Sequence, residues 1–284
     1  MTQPFRIKIG ISGWTYPPWR GTFYPEKLPH NRELAYASRQ VNSIEINGTF
    51  YSLQRSSSYL KWYEAVPPGF VFSVKANRYI THILRIRNIQ TPVANFFASG
   101  VLALKEKLGS ILWQFPPSMK MDLGRMEEFL ALLPQDFSSA KRLAAECDPW
   151  MKARAYVETG GIAPSERIRH AIEVRHPSFR DPAFYRLLRK YGAALVFSDS
   201  GGKWPYLEVV TSDFVYIRLH GTEELYASGY DEKALDEWAN RIKNWKKRAP
   251  DIFVYFDNDA KVFAPFNAIE LHAKLIQQRA RLAS

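Results

Sequence analysis

The sequence contains one cysteine, Cys147, among 284 residues. A single cysteine excludes an intramolecular disulfide and suits a reducing compartment, so we expect a cytoplasmic protein. No uninterrupted apolar run approaches the roughly 20 residues that a membrane-spanning helix needs, and no membrane partner is predicted. The N-terminal MTQPFRIKIGIS has no basic stretch followed by a long apolar one, so no secretory signal is predicted either.

Two chemical signatures are also missing. No Gly-rich phosphate fingerprint follows any predicted strand, which argues against an open, doubly wound nucleotide-binding sheet. No H-x-H or H-E-x-x-H spacing occurs, so the usual sequence sign of a zinc hydrolase is lacking. We therefore predict no cofactor and keep a divalent metal ion as the alternative.

Acidic residues are the minority: the net charge is +11 and the pI is about 9.6. Such a balance is typical of nucleic-acid binders, but the positive residues are scattered along the chain. Their densest run, RIKNWKKR at 241–248, follows an amphipathic helical pattern, and cations are favourable at the C-terminal end of a helix. We interpret it as a solvated helix face, so the charge gives only weak support to a nucleic-acid partner.

Eight β-rich runs alternate with helical patterns, and several are nearly continuous apolar stretches, as expected for strands covered on both faces. The runs are 6–12, 42–46, 70–76, 110–115, 170–175, 193–199, 214–220 and 252–259. Helical patterns include 56–66, whose first serines suit capping, a segment that begins at Asp231, and a different segment that ends at Gly192. This alternation predicts an α/β fold, a (β/α)₈ TIM barrel that forms a single domain over 1–284. The long connection 116–169 predicts an extra excursion between strands four and five.

Polar residues collect at the C-terminal ends of the predicted strands, the end at which barrel enzymes place their active sites. The chain has, in strand order, Glu45 and Asn47, Lys75, Gln114, Glu173 and Arg175, Asp199, Arg218 and His220, and then Asp257, Asn258 and Asp259. Nearby loops carry aromatic residues. Trp14, Tyr51 and Tyr226 suit stacking on a ligand, whereas Trp19, Phe23 and Tyr24 suit a hydrophobic plug.

Seven separate segments resemble one known family in the right order. They are GISGWTYPPWRGTFYP (10–25), SIEINGTFY (43–51), FVFSVKANRYITH (70–82), ILWQFPPS (111–118), AIEVRHPSF (171–179), VYIRLHG (215–221) and YFDNDAKVFAPFNA (255–268). The sequence is similar over essentially its whole length to the domain-of-unknown-function 72 family, the YecE-like proteins. The resemblance implies a TIM barrel and no particular reaction. Family members often continue with Pro-Gly after the aspartate of strand six, whereas this chain has DSGGKWPY.

We predict that seven charged side chains converge in one polar cleft: Glu45, Lys75, Glu173, Arg175, Asp199, Arg218 and His220. Neighbouring charges move pKa values apart, so the predicted catalytic set is Glu45, Lys75, Glu173, Asp199 and His220, acting by acid/base chemistry. Guanidinium groups grip phosphate or carboxylate in two-point contacts. The predicted substrate-binding set is therefore Arg175, Arg218, Asn47, Gln114, Asn258, Trp14, Tyr51 and Tyr226. The expected partner is a small anionic or polyhydroxylated molecule: phosphorylated, carboxylated or sugar-like.

Three alternatives stay open at this stage. Three acids and three bases can form an internally paired network with only a structural role, although six buried ions cost more than aliphatic packing. A divalent-metal hydrolase, isomerase or nuclease could use as ligands Glu45, Glu173, His176, Asp199, His220 and Asp257. A small-molecule or nucleic-acid binding protein without turnover is the third. We also interpret His82, His176 and Asp259 as caps and His170 as a structural residue. The sequence does not indicate an oligomeric state.

Overall fold

A computed structural model describes residues 6–283, and the side chains from Ile7 to Gln277. Its strands are β1 (Arg6–Ser12), β2 (Ser43–Ile46), β3 (Val71–Lys75), β4 (Leu108–Gln114), β5 (Arg169–Glu173), β6 (Ala194–Asp199), β7 (Phe214–Leu219) and β8 (Asp251–Phe256). They run in the order β1 to β8 around a closed barrel, and the pairings are parallel, β8 with β1 included. The predicted (β/α)₈ TIM barrel is confirmed.

Ten α-helices accompany the strands in the described part of the chain. They are α1 (Glu33–Gln40), α2 (Gly48–Tyr51), α3 (Ser56–Ala65), α4 (Gln90–Ala98), α5 (Leu123–Leu132), α6 (Phe137–Ala145), α7 (Pro149–Lys152), α8 (Pro182–Lys190), α9 (Glu232–Lys246) and α10 (Phe263–Ala283). Three of them, α5 to α7, form the predicted excursion between β4 and β5. No helix among the described residues is long and apolar enough to cross a membrane.

The helix ends follow the sequence signals with one exception. Asp231 caps α9 by accepting a hydrogen bond from the backbone N–H of Ala234, and Gly192 follows α8 with φ +63°, a conformation that favours glycine. The prediction that serines cap α3 is wrong. Arg55 occupies the cap position in an extended conformation and makes no side-chain capping bond, so Ser56 is already helical.

The chain divides into two compact units. Residues up to Glu45 and from Ala194 onward form one, and Ile46–Ala193 form the other. In the first unit, the predicted aromatic plug is present: Trp19, Phe23 and Tyr24 are buried and their rings contact one another. The prediction that 1–284 is a single domain stays a prediction.

Candidate functional site

One group of polar side chains belongs to the first unit and surrounds Arg218. Tyr216 and Arg218 lie two residues apart on β7, and His220 follows the end of the strand at the same spacing. The three side chains therefore point to one face. Together with Ser12, Glu45 and Asp257 they form what we call the Arg218 cluster: Ser12, Glu45, Tyr216, Arg218, His220 and Asp257. All six side chains are buried. Ions so far from water are stable only when they are paired and hydrogen-bonded.

Arg218 bridges two carboxylates. Its Nε and Nη2 atoms donate to the two oxygens of Glu45 over 3.1 and 2.8 Å, and Nη2 also donates to Asp257 Oδ2 over 2.8 Å. The Glu45 carboxylate accepts two further bonds of 2.6 Å, from the hydroxyls of Ser12 and Tyr216. These contacts hold Glu45 in one orientation, and the cluster has two carboxylates for one guanidinium.

His220 links this cluster to β6. Its Nδ1 atom is 2.9 Å from Asp257 Oδ2, and its Nε2 atom is 3.1 Å from the hydroxyl of Ser198. Ser198 Oγ accepts a 2.9 Å bond from the indole N–H of Trp204, so its own proton is available to His220 Nε2. The Ser198 contact fits a ring whose Nε2 accepts a hydrogen bond, and the Asp257 carboxylate is the charged neighbour of Nδ1. A carboxylate at that distance stabilises the protonated form of the ring.

Asp259 lies beside the Arg218 cluster and is chemically different from Asp257. Burial, followed by the charge of Asp257, raises the pKa of Asp259 from 3.8 to about 8, while the hydrogen bond with Tyr16 and the charge of Arg218 oppose the rise. Its Oδ1 atom is buried and has no hydrogen-bond partner among the described residues. Asp259 is therefore protonated at neutral pH, whereas Asp257 accepts a hydrogen bond from the Arg218 guanidinium and lies 2.9 Å from His220 Nδ1.

Tyr16 opposes the protonated form of Asp259. Its hydroxyl donates to the carbonyl oxygen of Ser12, and its hydrogen bond to the Asp259 side chain lowers the pKa of that carboxyl. Burial and the charge of Asp257 outweigh this contribution, so the pKa of Asp259 stays raised. The interpretation of Asp259 as a cap, made from the sequence, misses a carboxyl environment that includes a residue at the other end of the chain.

A second group of polar side chains belongs to the 46–193 unit. We call it the Lys75 cluster: Lys75, His82, Gln114, Glu173 and Arg175. Arg175 donates to Glu173 Oε1 from Nε over 2.9 Å and is paired with it through Nη2 at 2.8 Å, as their two-residue spacing predicts. Lys75 Nζ lies 4.4 Å from the centre of the Phe50 ring. The cluster thus contains two cationic side chains and one carboxylate.

His82 is the neutral member of the Lys75 cluster. Burial lowers its pKa from 6.5 to about 4, and the charges of Lys75 and Arg175 lower it further, against the opposing charge of Glu173. Gln114 donates to His82 Nε2 over 3.2 Å, and His82 Nδ1 is 2.8 Å from the Thr81 hydroxyl. A neutral ring with its proton on Nδ1 satisfies both contacts. The interpretation of His82 as a turn cap misses this, because its partner Gln114 is 32 residues away.

We expect the His82 ring to titrate near pH 4 in an NMR titration of its ring protons. The folded-state pKa lies below the unfolded value of 6.5, so the folded protein binds this proton less tightly. Stability contributed by neutral His82 is then lost as the pH falls from about 6.5 to about 4. Lys75→Met should raise the midpoint toward 6.5, while the exposed control Lys120→Met leaves it unchanged. An unaltered midpoint in Lys75→Met would contradict the electrostatic account.

The other predicted site residues have separate places. Asp199 follows Ser198, so it points to the opposite face of β6; it accepts a 2.9 Å bond from Tyr230 and lines a cavity of about 270 Å³. Asn258 is buried and donates to the Ser228 carbonyl and to Asn267. The Tyr226 ring contacts His220 edge-on at 5.4 Å. The remaining three are half-buried Asn47 and Trp14 and exposed Tyr51.

Within each unit the structure brings predicted residues together: Glu45, Arg218 and His220 in one, and Lys75, Gln114, Glu173 and Arg175 in the other. Convergence of all seven charged residues in a single cleft stays a prediction. Sequence reasoning did not select Ser12, Tyr216 or Ser198. Tyr216 could have been found, because it precedes Arg218 by two residues on the same strand face.

His176, interpreted as a cap, does accept a bond from the Ser178 backbone N–H. Buried His170, interpreted as structural, accepts the indole N–H of Trp113 and bonds the Pro134 carbonyl. Across residues 6–283, no group of three or more His, Cys, Asp or Glu side chains is placed to hold a metal ion.

Comparisons with known proteins confirm the family resemblance. A family model described as a protein of unknown function, DUF72, matches residues 8–284. The UPF0759 protein YunF of Bacillus subtilis is 23% identical over 283 residues. The match covers 89% of this chain and 89% of that protein. A crystal structure of a DUF72 family protein from Thermotoga maritima has a TM-score of 0.77 at 24% identity, with coverage of 95% of this chain and 99% of that one.

A DUF72 family protein from Enterococcus faecalis gives a TM-score of 0.71 at 16% identity, with coverage of 95% of each chain. At these identities the likeness to solved structures shows the shared fold. The chemistry must therefore be argued from the side chains of this chain.

Proposed function

The chain belongs to the DUF72 family of proteins of unknown function, and from the chemistry of its own side chains we propose that it is an enzyme. The proposed reaction class is acid/base catalysis on a small phosphorylated, carboxylated or sugar-like substrate. The observation that carries the proposal is the pair Asp257 and Asp259, two residues apart in different environments: Asp257 accepts a hydrogen bond from the Arg218 guanidinium, whereas burial and the charge of Asp257 raise the pKa of Asp259 to about 8. Two carboxyl groups whose environments push their pKa values apart are the usual arrangement of an acid and a base in one site.

Asp259 has the properties of a general acid. Its pKa of about 8 keeps it protonated at neutral pH, and a general acid works best when its pKa lies near the operating pH. Asp257 has the properties of the charged partner, because Arg218 donates to its Oδ2 atom and His220 Nδ1 lies 2.9 Å from the same oxygen. The imidazole of His220 can then accept a proton while the negative charge of Asp257 stabilises the resulting cation.

The substrate class rests on the Lys75 cluster. Lys75 and Arg175 are cationic and Gln114 is a hydrogen-bond donor, so the cluster suits a phosphate or a carboxylate. Neutral His82 adds no charge to this group and keeps its hydrogen-bonding capacity at physiological pH. Two cationic side chains and a neutral amide donor in one cluster are the kind of groups that bind an anionic ligand.

The proposal is tested with Asp259→Asn, assayed against a panel of phosphorylated, carboxylated and sugar substrates that the native protein turns over. We expect turnover to fall about 10²–10⁴-fold, the usual contribution of a positioned proton donor. The native kcat/KM should decline as the pH rises through about 8, where Asp259 loses its proton. The matched control is Asp213→Asn, an exposed aspartate that precedes β7 at the other end of the strand.

A stability measurement separates the acid role from a folding defect. Because the folded-state pKa of Asp259 lies above its unfolded value of 3.8, the folded protein holds this proton more tightly. Its free energy of unfolding should therefore fall as the pH rises from about 4 to about 8. Asp259→Asn should remove this decline and be more stable than the native protein at pH 9. Full turnover in Asp259→Asn, with the decline of kcat/KM near pH 8 still present, would refute the proposal.

A further inference from the structure

Three large aromatic side chains are exposed around one groove in the 46–193 unit. Tyr51 is 71% exposed, Tyr79 is 50% exposed and Trp150 is 53% exposed. All three line a cavity of about 720 Å³. Soluble proteins seldom expose neighbouring large rings in the absence of a binding role, because each ring leaves apolar surface in water.

Trp150 is held in a fixed orientation. Its indole N–H donates to Asp148 Oδ2 over 3.2 Å, and the same oxygen accepts a 2.7 Å bond from the buried amide of Asn95. The Asn95 Oδ1 atom in turn accepts the backbone N–H of Asp148 over 2.9 Å. On the ring itself, the Arg154 guanidinium lies 4.7 Å from the centre. The ring is therefore pre-organised.

The two tyrosines are positioned in a comparable way. The backbone N–H of Tyr79 donates to Asn77 Oδ1 over 2.9 Å, and the Asn77 amide donates to the Thr49 carbonyl over 3.0 Å. Tyr51 packs edge-on against Phe50 with ring centres 5.1 Å apart. The groove thus presents a Trp150 ring held by a hydrogen bond, a Tyr51 ring packed against Phe50 and a Tyr79 ring on a fixed backbone, so a ligand that stacks on them orders few additional groups.

The wall of the groove contains a strained turn. Arg85, Ile86 and Asn88 have φ values of +49°, +55° and +50°, and a β-branched residue such as Ile86 rarely adopts this conformation. Neighbouring Leu84 and Asn88 line the groove. Backbone strain of this kind collects at ligand sites, and here it accompanies the exposed rings.

A second cavity is lined by residues that are close in sequence to those of the groove, and it is suited to an anion. It has a volume of about 340 Å³ and is lined by Gln54, Arg55, Ser56, Ser57, Ser99 and Arg154. Arg154 joins the two, because it lines this cavity and also lies over Trp150. The backbone N–H groups at the start of α3 have no side-chain cap. Two guanidinium groups beside serine hydroxyls and an uncapped helix start favour a phosphate group.

The charge of the chain is concentrated in the same unit. Residues 46–193 contain 21 Lys and Arg and 12 Asp and Glu, a net charge of +9, whereas the whole chain carries +11. The net positive charge thus belongs mostly to the unit with the exposed rings, because this unit has few acids for its number of cations. An extended polyanion gains from such a field at every phosphate that it places near the surface.

We propose that this groove binds single-stranded nucleic acid. Bases stack on Tyr51, Tyr79 and Trp150, and a backbone phosphate enters the cavity between Arg55 and Arg154. Exposed rings together with guanidinium groups match the two recurring elements of single-strand recognition, stacking platforms and a cationic track. A duplex hides the faces of its bases, so the rings give no advantage for double-stranded DNA. An acidic polysaccharide or an anionic membrane has no planar bases for the rings to contact.

The test is fluorescence anisotropy with a labelled oligothymidylate of about 12 nucleotides, a length within the usual site size. We expect Trp150→Ala and Tyr51→Ala each to weaken binding about tenfold or more. Arg55→Gln and Arg154→Gln should each lower the slope of log affinity against log salt by about 0.7, the contribution of one phosphate contact on a single strand. The native protein should bind the matching duplex more weakly.

Matched controls lie outside the groove. Phe266→Ala removes an exposed ring from α10, and Arg186→Gln removes an exposed guanidinium from α8 within the same unit; both should bind like the native protein. Circular dichroism confirms the fold of each variant. The proposal is overturned if the ring variants bind oligothymidylate normally. It is equally overturned if duplex DNA, heparin or vesicles of anionic lipid bind as tightly and compete fully.

Discussion

Replacing Arg218 by methionine is expected to lower the free energy of unfolding by about 3–5 kcal/mol at pH 7. The fully buried guanidinium is the only cation within the Arg218 cluster that compensates Glu45 and Asp257. Methionine fills a similar volume but leaves two carboxylates in a low-dielectric environment. Urea denaturation with the fold monitored by circular dichroism measures the loss.

The loss should be smaller when one of the two carboxylates is also removed. Adding Glu45→Gln to Arg218→Met should restore part of the stability, because one of the two uncompensated charges is removed.

An exposed arginine provides the comparison. Arg241 pairs with Glu208 at 3.0 Å, and both side chains are more than one-third exposed. Arg241→Met should cost less than about 1 kcal/mol, as is usual for a surface ion pair. If Arg218→Met were as mild as Arg241→Met, the buried charges would have to be neutral at pH 7, and the opposite protonation states of Asp257 and Asp259 would no longer support an acid/base pair.

Gly10→Ala is expected to destabilise the protein by at least 3 kcal/mol, at the upper end of over-packing effects. A Cβ atom at Gly10 would lie 1.7 Å from the Ser43 carbonyl oxygen. That oxygen belongs to the backbone of β2, whose Ser43 pairs with Gly10 of β1. Neither side can turn away as a flexible side chain would, so the pairing of β1 with β2 must open.

Gly124→Ala is the matched control. Gly124 lies inside α5, and the nearest atom to a new Cβ there is Asp122 Oδ1 at 3.8 Å. Alanine is the better helix former, so this variant should gain about 0.5–1 kcal/mol. Thermal and urea unfolding of both variants measure the contrast. A Gly10→Ala protein of native stability would mean that β1 and β2 can separate without penalty, contrary to their register.

The sequence by itself determined the architecture of this protein. Strand runs such as RIKIGIS and FVYIRLH are apolar enough to identify buried strands, and caps such as Asp231 act through neighbouring residues. These signals are local in the chain. The seven family segments then determined the membership that the family model confirms over 8–284. The polar ends of β3, β5 and β7 were visible for the same reason, because residues two apart share one strand face.

Only the tertiary structure decided the chemistry at the polar C-terminal ends of the strands. The raised pKa of Asp259 depends on burial, on Asp257 and on Glu45, about 210 residues earlier, and the neutrality of His82 depends on burial and on Lys75. The sequence counted three acids and three bases as a balanced set, whereas each cluster taken by itself has an excess of one sign. The environment of a side chain is set by residues distant in sequence, and pKa values, charge balance and ring exposure follow from that environment.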